Sequence, residues 1–235
     1  MKYIEDIDFY NFLVKNYDLD KIIDNNFSEY NTLYLFSGII RDYFINKNRL
    51  TKDKSLIIIN LKDLDFVTFD KINEERLPFG YTKNHFNGYK FEDNGIKIDF
   101  WQSKNTWALK HYKKDVTIES LVQSPFFNFN SVLYDLKEKK FIYDDVFEKF
   151  IKDGVADIRV WNNPCKELQV YKIMECINEK NLRVTDRIIS YLKNYTLYKN
   201  NETIYNDFIK DFEHPKEYSF ISVLKLINKE ANYLM

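Results

Sequence analysis

The run Lys62-Asp63-Leu64-Asp65-Phe66-Val67-Thr68 sets two carboxylates two residues apart among apolar neighbours. On a β-strand, residues i and i+2 share a face, so Asp63 and Asp65 project together. A second strand-like run, Ile96-Lys97-Ile98-Asp99-Phe100-Trp101, carries one more acid flanked by large hydrophobes. A buried carboxylate is costly unless something positive neutralises it. The chain is therefore expected to bring Asp63, Asp65 and Asp99 to one spot on adjacent strands. Three convergent carboxylates are what a pair of divalent metals needs to clamp a phosphoryl group in transfer. An Asp-x-Asp pair alone reads as an exposed strand or turn; the third acid and the turn upstream favour metal.

That turn follows a short apolar run, residues 33–36, which stops at Ser37-Gly38 and gives way to Ile39, Ile40, Tyr43 and Phe44 at helical intervals. This is a strand, a tight turn and a helix opening. Backbone N–H groups of Ser37 and Gly38 would face an anion at the helix start; an ordinary strand-to-helix turn reads the same way. Downstream, Asp93-Asn94-Gly95 between apolar runs predicts a hairpin whose return strand carries Asp99.

The remaining pattern is mixed. Apolar spacing at Ile7, Tyr10, Leu13, Val14 and Tyr17 predicts an amphipathic helix over residues 4–19. The β-branched run at residues 56–59 reads as extended, inside or outside the main sheet. Residues 127–136 read as extended with a return at 141–143, then a short helix over 146–152 ended by Asp153-Gly154. From Pro164 the pattern turns helical, with Leu168, Tyr171, Ile173, Cys176 and Ile177 on a buried face and further helices over 184–198, 204–212 and 220–233. The predicted class is α+β: a mixed sheet flanked by helices over residues 1–160, then a small helical region over 161–235.

Composition suits a folded chain rather than a disordered one. With 235 residues, 45% hydrophobic and 17% aromatic, the chain can bury roughly 70–75% of its unfolded surface. The formal net charge of −1 creates no global field for nucleic acid, so any such contact must be local. Were Cys165 and Cys176 on one helix, about 16 Å of rise would separate them, too far for a bridge. Neither has a histidine nearby in sequence, His85, His111 and His214 lack metal spacing, and no P-loop or dinucleotide fingerprint occurs. With no long apolar span and an acidic start, a cytoplasmic chain without membrane contact is expected.

Four segments together resemble a known family. Leu35-Phe36-Ser37-Gly38-Ile39-Ile40-Arg41-Asp42 is similar to the Gly-Gly-x-Val-Arg-Asp element that opens the head domain of class II tRNA CCA-adding enzymes and bacterial poly(A) polymerases. The run from Lys62 to Thr68 resembles their paired-aspartate strand, and residues 127–135 resemble their Phe-Thr-Ile-Asn-Ala-Leu-Ala-Tyr-Asp stretch. Asn163-Pro164-Cys165-Lys166 falls where the family has Glu-Asp-Pro-x-Arg. The order matches over roughly residues 30 to 180. The sequence departs at Ser37, at Ser124-Pro125-Phe126 in place of an Arg-Arg-Asp run, and at Asn163, Lys166 and Gln169 in place of charged and arginine positions. An ammonium does not replace a planar guanidinium in base reading, so the choice of nucleotide is open. Too few residues follow position 180 for the family's extended body and tail.

The resemblance implies the polymerase β-type nucleotidyltransferase fold and transfer of a nucleoside monophosphate from an NTP to a hydroxyl, with release of pyrophosphate. Asp63, Asp65 and Asp99 would hold two Mg²⁺ ions, since hard carboxylates and phosphate oxygens suit that ion. The implied acceptor is RNA, possibly a tRNA-like 3′ end. A protein or small-molecule acceptor, as in toxin-like stand-alone enzymes, and a non-catalytic nucleotide-binding module are the alternatives. Ser37, Gly38, Arg41, Asn130 and Lys166 are the candidate nucleotide contacts. Arg41 is equally suited to an ion pair with Asp42, and Asn130 to a buried structural amide. Lys104, Lys110, His111, Lys113 and Lys114 interleave with Trp107 and Tyr112, either a nucleic-acid contact or a solvated face.

Overall fold

The computed structural model describes residues 1–36, 38–59, 63–164 and 166–198. In chain order these form β1 (Lys2–Glu5), α1 (Ile7–Tyr17), α2 (Leu19–Asn26), β2 (Tyr34–Phe36), α3 (Gly38–Lys47), β3 (Asp63–Thr68), β4 (Thr82–Lys83), β5 (Tyr89–Asp93) and β6 (Ile96–Gln102). There follow α4 (Trp107–His111), α5 (Ile118–Val122), β7 (Val132–Asp135), β8 (Lys140–Tyr143), α6 (Asp145–Asp153), β9 (Val155–Ala156), α7 (Lys166–Asn178), β10 (Arg183–Val184) and α8 (Asp186–Tyr198).

An eight-stranded sheet runs in the order β1-β8-β7-β2-β3-β6-β5-β4, and β9 and β10 form a separate parallel pair. Within the large sheet, among the described residues, only β3 and β6 pair parallel. This is the expected α+β class with a mixed sheet flanked by helices.

Strand alternation gives the sheet two unlike faces. One carries Leu35, Leu64, Phe66, Ile98, Phe100, Tyr134 and Phe141, which join Phe9 and Leu13 of α1 and Ile39, Ile40 and Phe44 of α3 in the larger hydrophobic cluster. Rings meet closely there: Phe9 stands 4.8 Å from Tyr134 and 5.0 Å from Phe141 between centroids. The other face carries Tyr34, Val67, Leu133 and Ile142, covered by Leu109 of α4 and Leu121 and Val122 of α5. That cover lies over one end of the face. Asp63, Asp65 and Asp99 occupy the other end.

Local signals account for most elements. Asn94 and Gly95 both have positive φ, 52° and 76°, and join Asp93 to its register partner Ile96 as a two-residue hairpin turn. Gly154 closes α6 in the left-handed conformation at φ 65°, accepting what a side chain there could not: a Cβ would lie 2.8 Å from the Leu50 carbonyl oxygen.

Two local readings change. The predicted helix over 4–19 begins only at Ile7, because residues 2–5 pair with β8 as an edge strand. Asp6 caps α1 by accepting from the Phe9 N–H at 3.0 Å, and the buried stripe is Phe9, Leu13 and Tyr17, with Ile7 exposed. The start of the run at 127–136 is a single 3-10 turn, Asn128–Asn130, before β7. The segment 56–59 lies outside the sheet, where the Asn46 amide takes both backbone groups of Ile57.

Past Pro164, Val170, Ile173, Met174 and Cys176 of α7 and Ile188 and Leu192 of α8 join the same cluster as the sheet. Leu168, Tyr171 and Ile177 are only half-buried. The helices expected over 204–212 and 220–233, with Ser37, Cys165 and His214, lie outside the described residues. Among the described residues no helix is long and apolar enough to cross a membrane.

Candidate active site

The parallel register of β3 and β6 sets Asp65 directly beside Asp99 and Asp63 beside Lys97. Register partners on parallel strands share a face, and i and i+2 positions share it too. Asp63, Asp65 and Asp99 therefore project from one side of two neighbouring strands. Asp63 is exposed and Asp65 half-buried. The Asp65 carboxyl is pushed up to about 6, first by desolvation and next by the charge of Asp99, with Asp63 adding to it. Like charges this close oppose ionisation.

Three features of other elements bear on the pair. Lys90, the register partner of Asp99 on β5, places its Nζ 3.0 Å from Asp99. Lys172 of α7 opposes the upward shift at Asp65 more strongly than Lys90 does. Gly38 opens α3 against the acids, such that a Cβ on it would lie 3.6 Å from Asp65 Oδ2. A helix N-terminus favours negative charge beside it. Lys90 and Lys172 were not singled out in the sequence, because only strand register and helix docking bring them to the acids.

Asp65 and Asp99 open into a pocket of about 350 Å³. Its walls are aromatic, from Phe36, Phe86, Trp101, Trp107 and Phe126, with Asn163 and Pro164 closing one side. Ser124 and Pro125 also line it. Of the positions that depart from the family pattern, Ser124, Pro125, Phe126 and Asn163 thus face the same cavity as the acids.

The other predicted residues stand elsewhere. Arg41 is buried and gives its Nε to Asp42 Oδ1 at 2.6 Å, with Glu175 Oε1 3.9 Å from its Nη2 and the Phe129 ring 5.6 Å away. Lys180 completes this network, 3.0 Å from both Asp42 and Glu175. Of the two roles open to Arg41, the structure contains the ion pair. Asn130 Oδ1 is buried without a hydrogen-bond partner among the described residues. The ordering amide is Asn128 instead, bonded to Val155 O and Asp157 N at 2.9 Å each. Lys166 is exposed at the start of α7. Arg41, Asn130 and Lys166 do not line the pocket, nor does Gln169, which is buried. In the basic-aromatic segment, Trp107 stacks on His111 at 4.5 Å and lines the pocket, while Lys110 donates to Asn105. Cys176 is buried and its thiol is pushed up to about 12, first by desolvation, which leaves it no nucleophilic character.

Among the described residues, no group of three His, Cys, Asp or Glu side chains is drawn together closely enough to cage a metal. The facing pair of hard carboxylates does fit one: Asp65 carries the electrostatic penalty of an acid pair that a divalent cation would relieve. Asp63 lies one strand pleat further along the same face.

No protein-family model matches the sequence, and no curated protein does. The fold has clear relatives among solved structures. A CCA-adding enzyme in complex with CTP matches with a TM-score of 0.64 at 16% identity, over 97% of this chain and 56% of that one. The Thermotoga maritima CCA-adding enzyme complexed with tRNA matches with a TM-score of 0.64 at 16% identity, over 97% and 55%. A tRNA nucleotidyltransferase with a primer tRNA and an incoming ATP analogue matches with a TM-score of 0.53 at 14% identity, over 84% and 57%. The chain has the fold of a nucleotidyltransferase head domain and resembles that part of the CCA-adding enzymes. It spans about half the length of the structures it matches.

Proposed function

We propose that this protein is a nucleotidyltransferase that moves a nucleoside monophosphate from an NTP to a hydroxyl at the end of an RNA. The observation that carries this reading is the Asp65–Asp99 register pair, open to an aromatic pocket on the uncovered end of the sheet. The acceptor oxygen bonds to the α-phosphorus, the bond from that phosphorus to the β-phosphate bridging oxygen breaks, pyrophosphate leaves, and the hydroxyl proton is released to solvent.

Asp65 and Asp99 would hold Mg²⁺, with Asp63 one pleat further along the same face, and the bound metal would neutralise phosphate charge and lower the pKa of the attacking hydroxyl. The α3 N-terminus at Gly38 supports negative charge beside Asp65. Lys90 and Lys172 add positive charge where the triphosphate would lie. The ring-lined walls, Trp107 and Phe126 among them, stack a base without choosing it by charge. Most of the rate gain in such a site comes from positioning and charge neutralisation. The solved neighbours were captured with CTP, with tRNA, and with a primer tRNA plus an ATP analogue, which supports NTP and RNA as substrates.

The test is incubation of the purified protein with each labelled NTP, Mg²⁺ and total RNA. Label is expected in RNA and is expected to fall by about a thousandfold or more in an Asp63→Ala, Asp65→Ala double variant. Unchanged labelling by that variant would refute the assignment. Label that survives RNase and migrates with protein would move the acceptor to a protein hydroxyl.

A further inference from the structure

We infer that a second pocket, beside the one that holds the acids, seats a nucleotide of the acceptor RNA next to its reacting end. This rests on the nucleotidyltransferase reading and adds the place where the acceptor strand is held. The second pocket measures about 310 Å³ and shares the lining residues Ala108 and Ser124 with the first, so the two are adjacent.

Its walls have the chemistry of a single-strand binding groove. Tyr112 and Trp161 line it and are 38% and 44% exposed, so both rings are open to a ligand. Trp107, in the first pocket, stands 6.3 Å from Tyr112 between centroids, so a row of rings crosses the boundary. Trp161 is braced edge-on by Tyr191 at 5.4 Å.

Cationic and neutral polar groups share this pocket. Arg159 gives its Nη2 to Asp144 at 2.6 Å, while its Nη1 is buried with no hydrogen-bond acceptor among the described residues. A buried guanidinium donor without an acceptor is costly, and Arg159 also lines this pocket, where its charge favours a phosphate. Lys114, Ser120 and Gln123 line the same pocket. Rings with a guanidinium hold bases largely regardless of sequence, by stacking and backbone charge. The segment is placed by the Asn128 clamp and by the Arg159 N–H donating to Phe126 O at 2.7 Å, which ties the second pocket to the wall of the first.

The experiment measures equilibrium binding and steady-state transfer with a short RNA ending in a single-stranded 3′ overhang, against the same RNA made abasic one nucleotide before its end. Trp161→Ala and Tyr112→Ala are each expected to weaken binding of the intact RNA and raise its KM about tenfold, leaving the KM for NTP in place. Neither change should matter for the abasic RNA, and Trp161→Phe should restore most of the loss. Arg159→Lys tests the guanidinium without removing charge, and should weaken both RNAs alike. Equal binding of intact RNA by wild type, Trp161→Ala and Tyr112→Ala would overturn the inference even if transfer proceeds. Tight, variant-sensitive RNA binding without transfer would keep the inference and overturn the catalytic reading.

Discussion

Asp65 and Asp99 are register partners across the parallel pairing of β3 with β6, and they face the uncovered end of the sheet together. Desolvation first, and then the charge of Asp99, raise the Asp65 carboxyl to about 6. The folded protein therefore binds a proton at Asp65 over a range where the unfolded chain, near 4, has released it. The native state holds more protons between those values, so stability falls as pH rises from about 4 to about 6.

Asp65→Asn is expected to remove that penalty. Its melting temperature without metal should exceed that of wild type at pH 7.5, by a stability difference on the order of 1–3 kcal/mol, and converge with it near pH 4. Transfer should drop by about a thousandfold or more. Mg²⁺ should raise the melting temperature of wild type at pH 7.5 and not that of the variant. Thermal scans with and without Mg²⁺ at the two pH values check all three.

Lys90 competes with any cation for Asp99. Its ion pair is well exposed, and such pairs are screened. Lys90→Met is expected to lower the Mg²⁺ concentration needed for half-maximal transfer by roughly two- to fivefold. A metal titration at fixed NTP measures this; an unchanged midpoint would mean that Lys90 does not stand in for the ion.

Arg41, Asp42, Glu175 and Lys180 form a buried network between α3 and the end of α7. Asp42→Ala would remove the closer acid of Arg41 and leave both buried cations to share Glu175, at a cost of about 3–5 kcal/mol. Denaturant unfolding should show a large drop in midpoint with little change in slope.

Gly154→Ala meets two obstacles at once, a positive φ and the Leu50 carbonyl oxygen. The expected loss is about 2 kcal/mol, read by chemical denaturation, with transfer per folded molecule unaltered.

Much of the site was legible from short-range pattern. The spacing of Asp63 and Asp65 on one strand face, the Asn94-Gly95 turn, and the passage from strand through Gly38 into α3 are properties of a few consecutive residues. The start of β1 was not, since nothing within residues 2–5 specifies pairing with β8, which lies far along the chain. Leu56 to Ile59 have strand composition but no place in the sheet, because backbone partners come from the Asn46 side chain.

By itself the sequence determined which faces each acid, ring and glycine could occupy, since backbone alternation and turn geometry are local. Tertiary structure alone decided what met across them: Asp99 beside Asp65, Lys90 on Asp99, and Asp42 against Lys180, which is 138 positions away. Register between distant strands and the docking of α7 depend on burying whole apolar faces at once, and no single stretch of residues encodes that sum.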